Sequence, residues 1–288
     1  MHLHSNPIIV TGMHRSGTTV LSRLLDLSGA FSGWLKDANN EAYFFIGLNE
    51  WILLQCGAAW DNPEPIDWLL QSERIADGIA AQLRRYLESP YGALFSGHRY
   101  LRGRNPSLGF PQAWGWKDPR NSVTLPIWLR LFPDARIVNL TRHGVDVAAS
   151  LRARQSAFLQ RTARHYPTGR STAWPPLLRR RSVVSSVRCA SLAGGLSLWS
   201  EYLDRVALAL KDVPGERQLT IRYEDLMLDP PAVLGHVLRF CGLDSPEDSR
   251  EFDKMLSIER VDAWKKDDEL RAFAVASREV IERHGYSC

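Results

Sequence analysis

The stretch IIVTGMHRSGTTVLSRLLDLSG, Ile8–Gly29, decides the fold. Apolar β-branched residues run into Gly12, and four residues separate Gly12 from Gly17. Thr18 and Thr19 follow, and Leu21, Leu24 and Leu25 then recur at helical spacing. The pattern predicts a short buried strand over Pro7–Gly12 and a helix over Thr18–Ser28. A strand, a glycine-bent loop and a helix aim backbone N–H groups and the positive helix end at an anion. Gly12 lets the chain turn out of the strand, and Gly17 lets the backbone approach a ligand closely.

Nucleotide triphosphatases carry G-x-x-x-x-G-K-[ST], whose lysine reaches the β- and γ-phosphates and whose hydroxyl holds magnesium. Here Thr18 stands at the lysine position and the cation comes earlier, at Arg15. One fixed cation without a magnesium-centred set suits a less highly charged donor, such as a sulfuryl group bonded to a nucleotide 5′-phosphate. No metal is expected.

Further along, strand and helix alternate. Ala113–Lys117, Ala135–Thr141 and Gln218–Tyr223 are expected as strands. Val123–Phe132, Val145–Arg154, Gly195–Leu210, Pro230–Phe240 and Leu270–His284 are expected as helices. Strands separated by helices imply an α/β fold, a mostly parallel sheet with helices on both faces. Asn39–Pro111, rich in Trp, Tyr, Gly and Pro, is expected as an irregular aromatic-rich insertion over residues 39–111. A second, arginine-rich insertion is placed at 151–194, within one domain spanning 1–288.

The 288 residues carry a net charge of +4, unevenly spread. Between Asp146 and Glu201 there are nine arginines (Arg152, Arg154, Arg161, Arg164, Arg170, Arg179, Arg180, Arg181 and Arg188) with no lysine and no acidic residue. This is either a solvated insertion or a basic rim for an anionic ligand. No nucleic-acid motif and no aromatic interleaving accompany it, so no nucleic-acid partner is expected. No run of ~18 apolar residues exists, so no membrane span is expected. The N-terminal MHLHSNP is not a secretory signal. Cys56, Cys189, Cys241 and Cys288 are widely spaced and fit a reducing compartment, so a cytoplasmic location is expected.

Three further segments bear on the same ligand. In RIVNLTRHGVDVAASLRAR (Arg136–Arg154), Arg142 ends a strand, Ser150 lies eight residues on in the next helix, and Arg154 follows one turn later. IRYEDLMLDP (Ile221–Pro230) places Tyr223 at a strand end, with Glu224 and Asp225 as caps of the next helix. GWKDPR (Gly115–Arg120) puts Lys117 at a strand end, in reach either of the ligand or of Asp118. With MHRSGTT (Met13–Thr19), these segments resemble the sulfotransferases that use 3′-phosphoadenosine 5′-phosphosulfate (PAPS), in their bacterial carbohydrate-type and tyrosylprotein-like branch. The resemblance covers most of Ile8–Tyr286, is loose across Asn39–Pro111 and is absent across most of Arg161–Val187.

The resemblance implies a P-loop-type fold with sulfuryl transfer from PAPS to a hydroxyl or amine, releasing 3′-phosphoadenosine 5′-phosphate (PAP). It assigns His14, Arg15, Ser16, Gly17, Thr18 and Thr19 to the 5′-phosphosulfate, and Arg142, Ser150 and Arg154 to the 3′-phosphate. Tyr223 and, in the closing VDAWKKDDEL segment, Lys265 would also contact the nucleotide. Arg15 and Lys117 would stabilise charge on the bridging oxygen. Glu41 is the expected base, with His14 and His98 as alternatives. Trp51, Trp60, Trp68, Trp114 and Tyr43 are candidates to line the site of an acceptor, a carbohydrate or small metabolite. Two other readings stay open: a P-loop nucleotide kinase, which lacks its lysine here, and a non-catalytic nucleotide-binding protein.

Overall fold

The computed structural model describes residues 6–165, 185–246 and 250–288. Arg170, Arg179, Arg180 and Arg181 of the expected basic insertion lie outside the described residues. The chain divides into two compact units, residues 1–142 with 202–261 and residues 143–201 with 262–288.

The first unit holds the whole sheet: β1 (Ile8–Thr11), β2 (Gly115–Lys117), β3 (Arg136–Thr141) and β4 (Gln218–Arg222), in the order β2-β1-β3-β4. Every pair is parallel, with Ile9 opposite Trp116 and Ile137 and with Val138 opposite Leu219. Side chains alternate across the strands, so each face gets its own cover. Ile8, Val10, Val138, Leu140 and Ile221 form one core with Leu21, Leu24 and Leu25 of α1 (Thr18–Leu27) and with Val237 and Leu238 of α10 (Pro230–Cys241). On the other face Trp116 stacks at 3.9 Å on Phe45 of α2 (Tyr43–Leu54) and meets Trp128 of α6 (Asn121–Leu131) edge-on at 4.9 Å. Both indole N–H groups are satisfied, Trp116 by Asn121 Oδ1 and Trp128 by Asn49 Oδ1. Each buried aromatic or branched side chain on these faces contributes about 1.5–3 kcal/mol. The α/β fold with a parallel sheet and helices on both faces is therefore present.

Two expectations are corrected in the first unit. Residues 39–111 are not irregular: they hold α2, α3 (Pro65–Leu70), α4 (Glu73–Glu88) and α5 (Ala93–Ser96). Glu224 and Asp225 do not cap a helix; they sit in the first turn of α9 (Tyr223–Leu228), where their charge still suits the helix dipole. Asp229 caps the next helix instead, accepting from Ala232 N–H at 3.2 Å ahead of two prolines.

The second unit contains α7 (Gly144–His165), the start of α8 (Leu192–Leu210), α12 (Asp268–Ala276) and α13 (Arg278–Arg283). The helix expected to end at Arg154 continues to His165, and the expected terminal helix is broken at Ser277, which leaves the helical region at φ −107°. Gly195 lets α8 approach α7 closely, since a Cβ there would lie 3.1 Å from Ala148 Cα. No helix among the described residues is long and apolar enough to cross a membrane.

Candidate active site

The loop from Gly12 to Gly17 is shaped by what surrounds it. A Cβ on Gly12 would lie 2.4 Å from the Leu140 carbonyl of the adjacent strand. Gly17, at φ +97°, has the Tyr223 ring so close that a Cβ would stand 2.5 Å from it. Ser16 closes the loop: its N–H and its Oγ both donate to the Met13 carbonyl, at 3.1 and 2.6 Å. Its hydroxyl thus shapes the loop. Gly12 N–H is taken by Ser122 Oγ at 3.0 Å. Thr18 and Thr19 open α1, and no side chain caps that helix end.

Arg15 stands exposed at the tip, itself in the left-handed region at φ +73°. Crowding away from water, then the like charges of Arg260 and Arg142, hold its guanidinium below the usual arginine range. Arg142 follows β3 and is buried, 8% exposed. It donates to the Arg260 carbonyl at 2.6 Å and to the Arg15 carbonyl at 3.3 Å, and lies over the Tyr223 ring at 4.6 Å. Burial raises the Tyr223 hydroxyl, opposed by Arg142 and Arg260. The loop therefore sits amid three guanidinium groups, whose mutual repulsion an anion relieves. Arg260 is absent from the sequence expectation. It lies just before the VDAWKKDDEL segment from which Lys265 was chosen.

The expected base, Glu41, and Lys117 come from distant segments. Lys117, at the end of β2 with 1% of its side chain exposed, donates to Glu41 Oε1 at 2.7 Å. It does not pair with Asp118, whose Oδ1 takes Arg120 and whose Oδ2 takes Asn49. Glu41 is buried, and that burial pushes its carboxyl up to about 7 against the opposing pull of Lys117. It is therefore not the exposed cap of α2.

The remaining candidates are placed as follows. His14 is buried, edge-on to Trp60 at 4.8 Å and tilted to Tyr202 at 6.2 Å. His98 is exposed and packs edge-on against Trp34. Trp60 and Trp114 are buried packing residues, whereas Trp68 and Tyr43 are exposed. Ser150 and Arg154 share a half-buried face of α7 in the second unit. Lys265, in the same unit, forms an exposed ion pair with Asp262 at 2.5 Å.

A glycine-bent loop at the end of a parallel strand, ringed by arginines, defines an anion-binding α/β protein of the group-transfer kind. A family model described as the sulfotransferase family matches residues 7–247, and the chain belongs to that family. No curated protein sequence matches the chain. Among solved structures, the sulfotransferase domain from the curacin biosynthetic pathway is 16% identical and covers 96% of this chain and 99% of its own, with a TM-score of 0.48. The sulfotransferase domain from the Synechococcus PCC 7002 olefin synthase is 17% identical over 99% and 97%, with a TM-score of 0.49. Retinol dehydratase in complex with androsterone and inactive cofactor PAP is 16% identical over 99% and 82%, with a TM-score of 0.42.

Proposed function

We propose that this chain moves the sulfuryl group of PAPS onto a hydroxyl or amine of a carbohydrate or small metabolite, by direct in-line attack and without a metal. The observation that carries the reading is the cluster of Arg15, Arg142 and Arg260 around the Gly17 loop. Two phosphate groups and a sulfuryl group supply the negative charge such a cluster lacks. The residues present fit that donor: a loop closed on the Met13 carbonyl by Ser16, with Gly17 packed against the Tyr223 ring, hydroxyls at Thr18 and Thr19, and guanidinium forks beside it. His14 and Ser16 shape the loop, and Arg15 reaches the bridging oxygen. Arg142 takes the 3′-phosphate, with Tyr223 beneath it; Ser150 and Arg154 enter through the spacing of the sequence motif alone.

Bound PAPS supplies an activated sulfuryl group on a good leaving group. The protein's own part is proton and charge management. Lys117 holds Glu41 Oε1, which leaves Oε2 to receive the acceptor proton. A carboxyl lifted to about 7 is matched to that task near neutrality. Arg15, preorganised by its left-handed backbone, offsets charge developing on the leaving oxygen. The exposed Trp34, Leu35 and Tyr43 flank the segment carrying Glu41 and offer the acceptor an apolar and aromatic wall. The wide spacing of the four cysteines supports a cytoplasmic site of action.

The test is calorimetric titration with PAP and with ADP, followed by incubation with labelled PAPS and an acceptor panel. PAP binding well above ADP, with label transferred to one acceptor class in the presence of chelator, is expected. Equal binding of PAP and ADP, or phosphoryl transfer from ATP with magnesium, would overturn the proposal.

A further inference from the structure

Glu41 follows Asn40, which has φ +63° and is 9% exposed. Lys36 and Ala42 pair as an antiparallel bridge, Asp37 N–H donates to the Glu41 carbonyl at 2.9 Å, and Asn40 N–H donates to the Asp37 carbonyl at 3.1 Å. This is a tight hairpin whose left-handed position glycine normally fills. Here it is Asn40, and its amide is used: Nδ2 donates to Ser22 Oγ at 2.8 Å and to Asp26 Oδ2 at 2.9 Å. Both partners lie on α1, the helix that begins at the phosphate loop. Asp26 also takes Lys36 Nζ and Ser32 Oγ, so the two ends of the hairpin meet on one carboxylate. From inside the turn, Asp37 Oδ1 accepts the Glu41 N–H at 2.8 Å.

We infer that Asn40 is a positioning residue, whose amide ties the hairpin bearing Glu41 to the helix that follows the loop. The inference rests on the proposed role of Glu41 and extends it. A buried asparagine in a glycine position, bonded twice to one helix, sets where the next residue's carboxylate stands relative to that loop. The backbone alone would be served at least as well by glycine, so the side chain has a separate use.

That separation provides the test. Asn40→Gly keeps the left-handed turn and deletes only the two amide bonds, leaving Lys36 on Asp26 and Ser22 Oγ on the carbonyl of residue 40. Glutamate is labelled with 13C at its side-chain carboxyl, and Glu41→Gln identifies the Glu41 signal. In the wild type this signal titrates near the value of about 7 given by its burial. In Asn40→Gly it is expected to move toward the ordinary glutamate range. The release of PAP from PAPS by slow transfer to water should fall on the order of 10²-fold, as a misplaced base predicts. Affinity for PAP should be unchanged. An Asn40→Gly protein that titrates and turns over as the wild type does overturns the inference. A wild type that binds no PAP removes the donor proposal instead, and Asn40 is then judged on the carboxyl titration alone.

Discussion

Replacing Arg142 by alanine tests the proposed division of the ligand between a 5′-phosphosulfate site and a 3′-phosphate site. The guanidinium makes one short bond to the Arg260 carbonyl, 2.6 Å, one long bond to the Arg15 carbonyl, 3.3 Å, and a face contact with Tyr223, 4.6 Å. A charge-assisted bond contributes about 1.5–3 kcal/mol and a partly buried cation–π contact about 1 kcal/mol. Relief of repulsion among three arginines returns about 1 kcal/mol. The variant should therefore lose about 1–3 kcal/mol of stability and stay folded. Binding changes more. A bidentate arginine–phosphate pair is worth about 3 kcal/mol, so PAP should bind roughly 10²-fold more weakly. Adenosine 5′-phosphosulfate lacks the 3′-phosphate and feels only the slackened loop, a loss of about 0.5–1 kcal/mol or roughly 2–5-fold. Calorimetric titration of both ligands into both proteins reads the difference. Equal losses would refute the assignment of Arg142 to the 3′-phosphate. Arg142→Lys should recover little, since an ammonium cannot fork to two oxygens or stack on the ring.

Glu41→Gln should abolish the acid limb of the kcat–pH profile that the wild type shows near its carboxyl value of about 7. Because that value lies above the ordinary 4.5, the native state binds the extra proton between the two, so wild-type stability should fall as pH rises through this window and the variant's should not. Gly17→Ala forces a Cβ to 2.5 Å from the Tyr223 ring at φ +97°, which should cost about 2–5 kcal/mol; thermal melts in which Tyr223→Ala recovers part of that loss would confirm the clash. In the second unit His143 donates from Nε2 to the Ser287 carbonyl, takes the Val145 N–H on Nδ1 and stacks on Trp264, the contacts of a neutral ring. Burial holds its pKa below the ordinary 6.5, so its contribution is complete above 6.5 and is lost as pH falls toward the folded value. Urea midpoints of the wild type should drop across that window, and those of His143→Phe should drop less.

β1 and β3 were legible because they are short apolar runs closed by Gly12 and Arg142, the pattern of a buried parallel strand. The glycine loop was legible from its spacing, although the neighbours that require its glycines, Leu140 and Tyr223, lie far away in sequence. Glu41 and Lys117 were each picked out by residue type, but their pairing was not, since 76 residues separate the partners and no periodicity links them. The helices of residues 39–111 were missed for a different reason. α2 is apolar nearly all round, which hides the 3.6-residue repeat on which the reading depends. The amphipathic α4, capped by Ser72, and α3, opened by Pro65, carry helix-start signals that could have found them. Arg260 gave no signal because its carbonyl, as much as its charge, places it.

The partition of charge at the end of β2 explains why Lys117 is bound to Glu41 and not to its neighbour in sequence. Asp118 is fully buried, and an uncompensated carboxylate there would be costly. Its two oxygens are occupied by the Arg120 side chain and backbone and by the Asn49 amide. Asn49 in turn holds Asn121, Thr124 and Trp128. This network neutralises the acid next to Lys117 by local means, so the lysine is released to face Glu41. Removing Arg120 should then act at a distance. In Arg120→Met, Asp118 would compete for Lys117, the Glu41 carboxyl would lose its cation, and its pKa should climb further. The expected sign is an acid limb of the kcat–pH profile displaced to higher pH, with PAP affinity retained. A profile left in place would mean that Lys117 is held by Glu41 alone and that the surrounding network is only packing.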